Sequence, residues 1–76
     1  MRASAAAVLA NDPDPQSGQA LVKAVSDKSW VVRAAALEAI ARRGDARLLD
    51  SIVPALSDDH EVVRMNAAAA VIHLSR

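Results

Sequence analysis

The segment Ser26-Asp27-Lys28-Ser29-Trp30-Val31-Val32-Arg33 returns 31 residues further on as Ser57-Asp58-Asp59-His60-Glu61-Val62-Val63-Arg64, with serine, aspartate, both valines and arginine in register. Sliding the chain on itself by that period makes 14 of 45 overlapped positions identical, among them Arg2 with Arg33 and Ala5 with Ala36. A period of roughly 20 to 50 residues is the signature of a solenoid or array, in which each unit buries its apolar face against its neighbours. Architecture of this kind builds surfaces more readily than reaction centres.

The repeating unit is helical. From Val32 the apolar residues Val32, Ala35, Ala36, Ala39 and Ile40 fall on one stripe of a 3.6-residue helix. Arg42 and Arg43 place positive charge at its carbonyl end, and Gly44 is suited to the left-handed residue that closes a helix. Asp45 then caps a further helix over residues 46 to 56, with Leu49, Ile52, Val53 and Leu56 on one face. Pro54 removes a backbone donor inside that helix, so a kink or a tightened last turn is expected there. Asp58 and Glu61 have the spacing of a capping box for the final helix, which carries Val63, Asn66, Ala67, Ala70, Val71 and Leu74. In the earlier copy Asn11 to Pro15 is a turn cluster, residues 16 to 25 form a helix with Leu21, Ala24 and Val25 inward, and Ser29 or Asp27 caps the next.

With residues 2 to 10 read as one more helix, the expectation is an all-α, right-handed α-solenoid of antiparallel helix pairs, about five helices joined by short turns. Residues 1 to 10 are a partial repeat holding only its second helix, 16 to 43 and 46 to 75 are full repeats, and the whole is expected to be a piece of a longer array.

Composition narrows the functions. The chain of 76 residues has no cysteine, which removes disulfides, thiolate metal sites and cysteine nucleophiles, and its nine basic and nine acidic residues cancel. Such balance supplies no long-range field for nucleic acid or an anionic membrane. No apolar run approaches the ~20 residues of a membrane span, and the opening is a poor signal peptide. A cytoplasmic setting is expected.

The residues that recur resemble the HEAT repeat. The short period, with Asp27 followed by Val32-Arg33-Ala34-Ala35-Ala36 and Asp58 followed by Val63-Arg64-Met65-Asn66-Ala67, is similar to the phycobilin-lyase-type variant of that family. The resemblance covers the whole chain and implies stacked helix pairs that mostly bind proteins and sometimes serve in an enzyme. It also implies that Arg2, Arg33 and Arg64 form a structural ladder with Asp27 and Asp58, within and between repeats. The competing reading is a row of phosphate-tracking arginines. Departures from the family pattern are the missing first helix of the first copy, Asn66 in place of alanine, and Asp12 to Pro15 in place of the Gly44-Asp45 turn.

No residue pattern points to chemistry. His60 and His73 lack a third ligand at metal spacing and are expected to be solvated. Asp58, Asp59 and Glu61 belong to helix capping, and no cofactor motif is present. Trp30 aligns with Glu61 at the start of a second helix: it is either an exposed interface anchor or a lid over the 21–25 helix or the neighbouring turn. The last helix is apolar almost all round, which expects cover on more than one side.

The function these features support is a non-catalytic protein-binding scaffold. Its expected contacts are Trp30, Met65, Glu38, Arg42, Ile72 and His73, with Ala34, Ala41 and Ala69 beside them. An accessory part of a bilin lyase is the alternative, and a nucleic-acid-binding module ranks third. Self-association through open terminal helices is the further expectation.

Overall fold

The computed structural model describes residues 15–75, which contain α-helices, 3₁₀ turns and short loops, with no strand among them. Helix α1 spans Pro15–Ala24 and α2 spans Trp30–Arg43; a short α3, Leu49–Ile52, lies between 3₁₀ turns at Ala46–Leu48 and Val53–Ser57; α4 spans Glu61–Leu74. The helix expected over residues 2 to 10, and Arg2 with it, lies outside the described residues.

Local chemistry sets these limits. Pro15 opens α1, where its fixed φ suits the first helical position and its missing N–H is not needed. Gly44 ends α2 in the left-handed conformation, φ 69°, and its N–H donates to the Ile40 carbonyl at 3.2 Å. Asp45 accepts from the Arg47 N–H at 3.0 Å and starts the next segment.

Pro54 has the larger consequence. The chain is regular α-helix only to Ile52 and tightens to 3₁₀ from Val53, as its missing donor and ring clash require. In a 3₁₀ turn residues three apart eclipse. After Ile52, therefore, Ala55 turns inward, while Val53 and Leu56 stand exposed at 45% and 39%. The expected face of Leu49, Ile52, Val53 and Leu56 is thus corrected to half-buried Leu48 and Leu49 with buried Ile52 and Ala55.

The expected capping box before α4 is also replaced. His60 is the N-cap residue, and its Nδ1 accepts from the Val62 N–H at 3.3 Å. Asp58 closes the preceding turn by accepting from the His60 N–H at 2.9 Å. The same device stands one repeat earlier, where Asp27 accepts from the Ser29 N–H at 2.8 Å and Ser29 holds the N-cap position without a side-chain bond.

Leu21, Leu37, Ile40, Ile52 and Val63 are the largest fully buried side chains, and Ala36, Ala39, Ala67 and Ala70 are sealed between them. The chief packing is α2 against α4, with α1 on α2 and the Val53–Ser57 turn on α4. Small alanines let these helices approach closely. Two members of α2 differ from the expected stripe: Leu37 is fully buried, and Ala34, expected as a contact residue, is only 7% exposed. Both lie on a second side of α2, beside the expected stripe. Asn66 of α4 donates from Nδ2 to the Ala34 carbonyl at 3.1 Å, which pins that side.

Candidate interaction surface

The turns preceding α2 and α4 lie side by side, and Arg33 joins them. Its Nη1 donates to the Asp27 carbonyl at 2.8 Å and the Lys28 carbonyl at 3.1 Å, within its own repeat. Its Nη2 donates to Asp58 Oδ1 at 3.1 Å and to Asp59 at 3.3 Å, while Nε is 2.8 Å from Asp58 Oδ2 as an ion pair rather than an aligned hydrogen bond. Arg64 makes the same backward hook, Nη1 to the Asp58 carbonyl at 2.7 Å. Asp58 is held below the usual carboxylate range, first by the His60 N–H and then by the Arg33 guanidinium. A cavity of about 460 Å³ opens beside this junction, but its wall mixes Asp27, Asp58 and Asp59 with Lys28 and Arg33. Neither a phosphate nor a cation meets one sign of charge there.

Trp30 stands at the first position of α2 and is 41% exposed. Its indole stacks on the His60 imidazole of the following turn, with centroids 3.8 Å apart and planes 9° from parallel. His60 is thus half-buried, bonded and stacked, in contrast to the solvated histidine expected. One face of the indole is occupied within the chain.

A second feature lies between the two long helices. Glu38, Ala41 and Arg42 of α2 and Ala69 and His73 of α4 line a groove of about 260 Å³. Five residues expected as contacts therefore converge on one place, and the surface they present to the groove is almost wholly apolar. Met65 and Ile72 are elsewhere on α4, at 63% and 64% exposure. Ala69, in the same helix, is the link between them and the groove.

Among the described residues no three His, Asp or Glu side chains gather as metal ligands, and no helix is long and apolar enough to cross a membrane. Paired helices, aspartate turns repeated in register and a shallow inter-helix groove define an all-α helical-repeat protein. The chain belongs to the HEAT-repeat family: the family model for HEAT repeats matches residues 1–72. HEAT repeats commonly serve as protein-interaction scaffolds. No curated protein matches the chain.

Proposed function

We propose that this chain is a non-catalytic protein-interaction scaffold whose recognition site is the groove between α2 and α4. The observation that carries the reading is the groove itself: an apolar floor of Ala41 and Ala69 with Glu38, Arg42 and His73 around it. Such a floor, widened by the carbon stems of the flanking side chains, accepts apolar side chains of a partner segment. Trp30, at the helix start, adds an aromatic surface of the kind that dominates binding energies. Arg33, Asp58 and the backbone hooks act as a stacking clamp that holds the two repeats in one geometry.

Selection of binders from a random peptide library, followed by titration, tests the site. Glu38→Lys and Arg42→Glu are expected to weaken the selected peptides about tenfold or more. Because both side chains are exposed, the melting temperature should hold. Peptides indifferent to both changes but lost on Lys28→Glu would move the site to the turn edge and refute the reading.

Within the family, the 31-residue period and the Asp27 to Val32-Arg33 spacing support the phycobilin-lyase-type variant. A lyase-associated role for a parent enzyme is the second reading, tested by whether the chain enhances bilin transfer by a lyase. Nucleic-acid binding ranks third, and charge neutrality weighs against it. A cytoplasmic setting remains part of the proposal.

A further inference from the structure

The start of α4 is held by side chains that depart from the repeat. His60 occupies the place of Ser29, and Trp30 occupies the place that Glu61 takes in the second copy. Both departures meet in one contact, where the His60 imidazole stacks on the Trp30 indole with centroids 3.8 Å apart. The same ring caps α4, its Nδ1 accepting from the Val62 N–H at 3.3 Å. Ser29 makes no side-chain cap bond at the equivalent place.

That cap requires a neutral ring. An imidazole that accepts at Nδ1 carries its one proton on Nε2, and with a second proton both nitrogens are donors. Nδ1 then has no lone pair for the Val62 N–H. The stack responds in the opposite sense, because a cation over an indole face is attracted to it. The backbone of His60 is fixed on both sides: its N–H donates to Asp58 Oδ1 at 2.9 Å, and its carbonyl accepts from the Arg64 N–H at 3.1 Å. A proton therefore acts on the ring alone.

The charged groups at the junction are Asp58, Asp59, Glu61 and Arg64 on the His60 side and Asp27, Lys28 and Arg33 on the Trp30 side. Arg33 is paired with Asp58 and Asp59. Histidine ordinarily changes its charge between about pH 8 and 5. Asp58, held below the usual carboxylate range, keeps its charge there, so the clamp to Arg33 stays closed while the cap opens.

We propose that His60 is a proton-operated cap: a proton taken up at Nδ1 releases the Val62 N–H and loosens the first turn of α4, while the ring stays on Trp30 as a cation. The start of α4, and not the core beneath it, is then the part of the junction that answers mild acid.

A titration of the full chain from about pH 8 to 5, followed by NMR and by tryptophan emission, tests it. The Val62 amide resonance should move along the same curve as the His60 ring proton. Its exchange protection, corrected for the intrinsic rate, should fall at least about threefold. Emission of Trp30, the only tryptophan, should be quenched on that curve by the charged imidazole in contact with it. His60→Asn supplies a cap that does not titrate and should abolish all three responses. Substitution of the other histidine, His73→Gln, should leave them intact. A Val62 resonance that ignores the His60 ring proton overturns the proposal, as does a His60 ring that gains no proton by about pH 5. Emission that rises in acid to the level of His60→Asn would show the ring leaving Trp30 and equally overturn it.

Discussion

Leu37→Ala is the perturbation that most directly tests how α2 and α4 are joined. Leu37 has no exposed surface and belongs to α2, whose chief packing is against α4. Fully burying a leucine contributes about 1.5–3 kcal/mol, and truncation to alanine in a core costs about 2–5 kcal/mol once the cavity is included. The neighbours here argue for the middle of that range or above. Ala34 and Ala41 are too short to fill the vacated space, and the Asn66 bond to the Ala34 carbonyl at 3.1 Å resists collapse of the helix pair. The expected loss is about 3–4 kcal/mol. A chain of this size has roughly 4–11 kcal/mol of stability, so the variant forfeits from about a third to nearly all of it. Urea unfolding followed by far-UV circular dichroism measures the shift in midpoint, and Trp30 fluorescence supplies a second probe. The register twin, Ala68→Leu, is the control: its site is exposed, and at low concentration it should change stability by less than about 0.5 kcal/mol. A cost below about 1 kcal/mol for Leu37→Ala would refute its place in a sealed core.

Acid should weaken the repeat junction. The Asp58 carboxyl is depressed by the His60 N–H and the Arg33 guanidinium, so its contribution is complete above the ordinary carboxylate range and is lost as pH falls through its folded value. Asp58→Asn should accordingly melt below wild type near neutrality, with the difference shrinking to nothing in strong acid; a pH-independent difference would contradict this. Trp30→Ala should cost about 0.5–1.5 kcal/mol through the lost stack, and His60→Ala should shift the emission of the chain's only tryptophan. An unchanged spectrum would sink the stacked pair. Gly44→Ala should destabilise by about 1–2 kcal/mol through its positive φ alone, because no atom lies within 4 Å of an added Cβ.

The helical class, the stop at Gly44 and the tightened turn at Pro54 were legible because each depends on one local cause: a 3.6-residue period, a left-handed terminus and a missing donor. Burial within α2 was less so. Alanine at Ala34, Ala35, Ala36 and Ala39 gives almost no contrast between inside and outside, and Leu37 falls off the first stripe because a second helix covers that flank. Val53 and Leu56 were misplaced by counting through Pro54 with α-helical spacing, although the proline itself signalled the change of period. His60 as a cap was hidden because an imidazole Nδ1 does a task usually read from serine or aspartate. The Trp30–His60 stack joins residues of different repeats at non-equivalent positions, so neither period nor alignment pointed to it. Glu38, Arg42 and His73 were singled out in the sequence only as lying outside the core stripe; that they meet in one groove follows from the packing of α2 on α4.

The pattern of identity between the repeats has a physical origin that bears on recognition. Ala36 and Ala67, and likewise Ala39 and Ala70, are identical and all have no exposed surface. Arg33 and Arg64 are identical and make the same hook to an aspartate carbonyl. Where the two repeats meet the same surroundings, packing and hydrogen bonding admit one solution, and the residue recurs. Two of the pairs that differ between α2 and α4, Glu38 with Ala69 and Arg42 with His73, line the groove. Had they recurred, both walls would carry the same charges and an extended ligand would meet a nearly symmetric channel. Because they diverge, the α2 wall holds Glu38 and Arg42 one turn apart, while the α4 wall offers alanine and imidazole. On the proposed reading, an entering segment meets the aliphatic stems of Glu38 and Arg42 on one wall and Ala69 with His73 on the other, so the two sides of the groove are not equivalent.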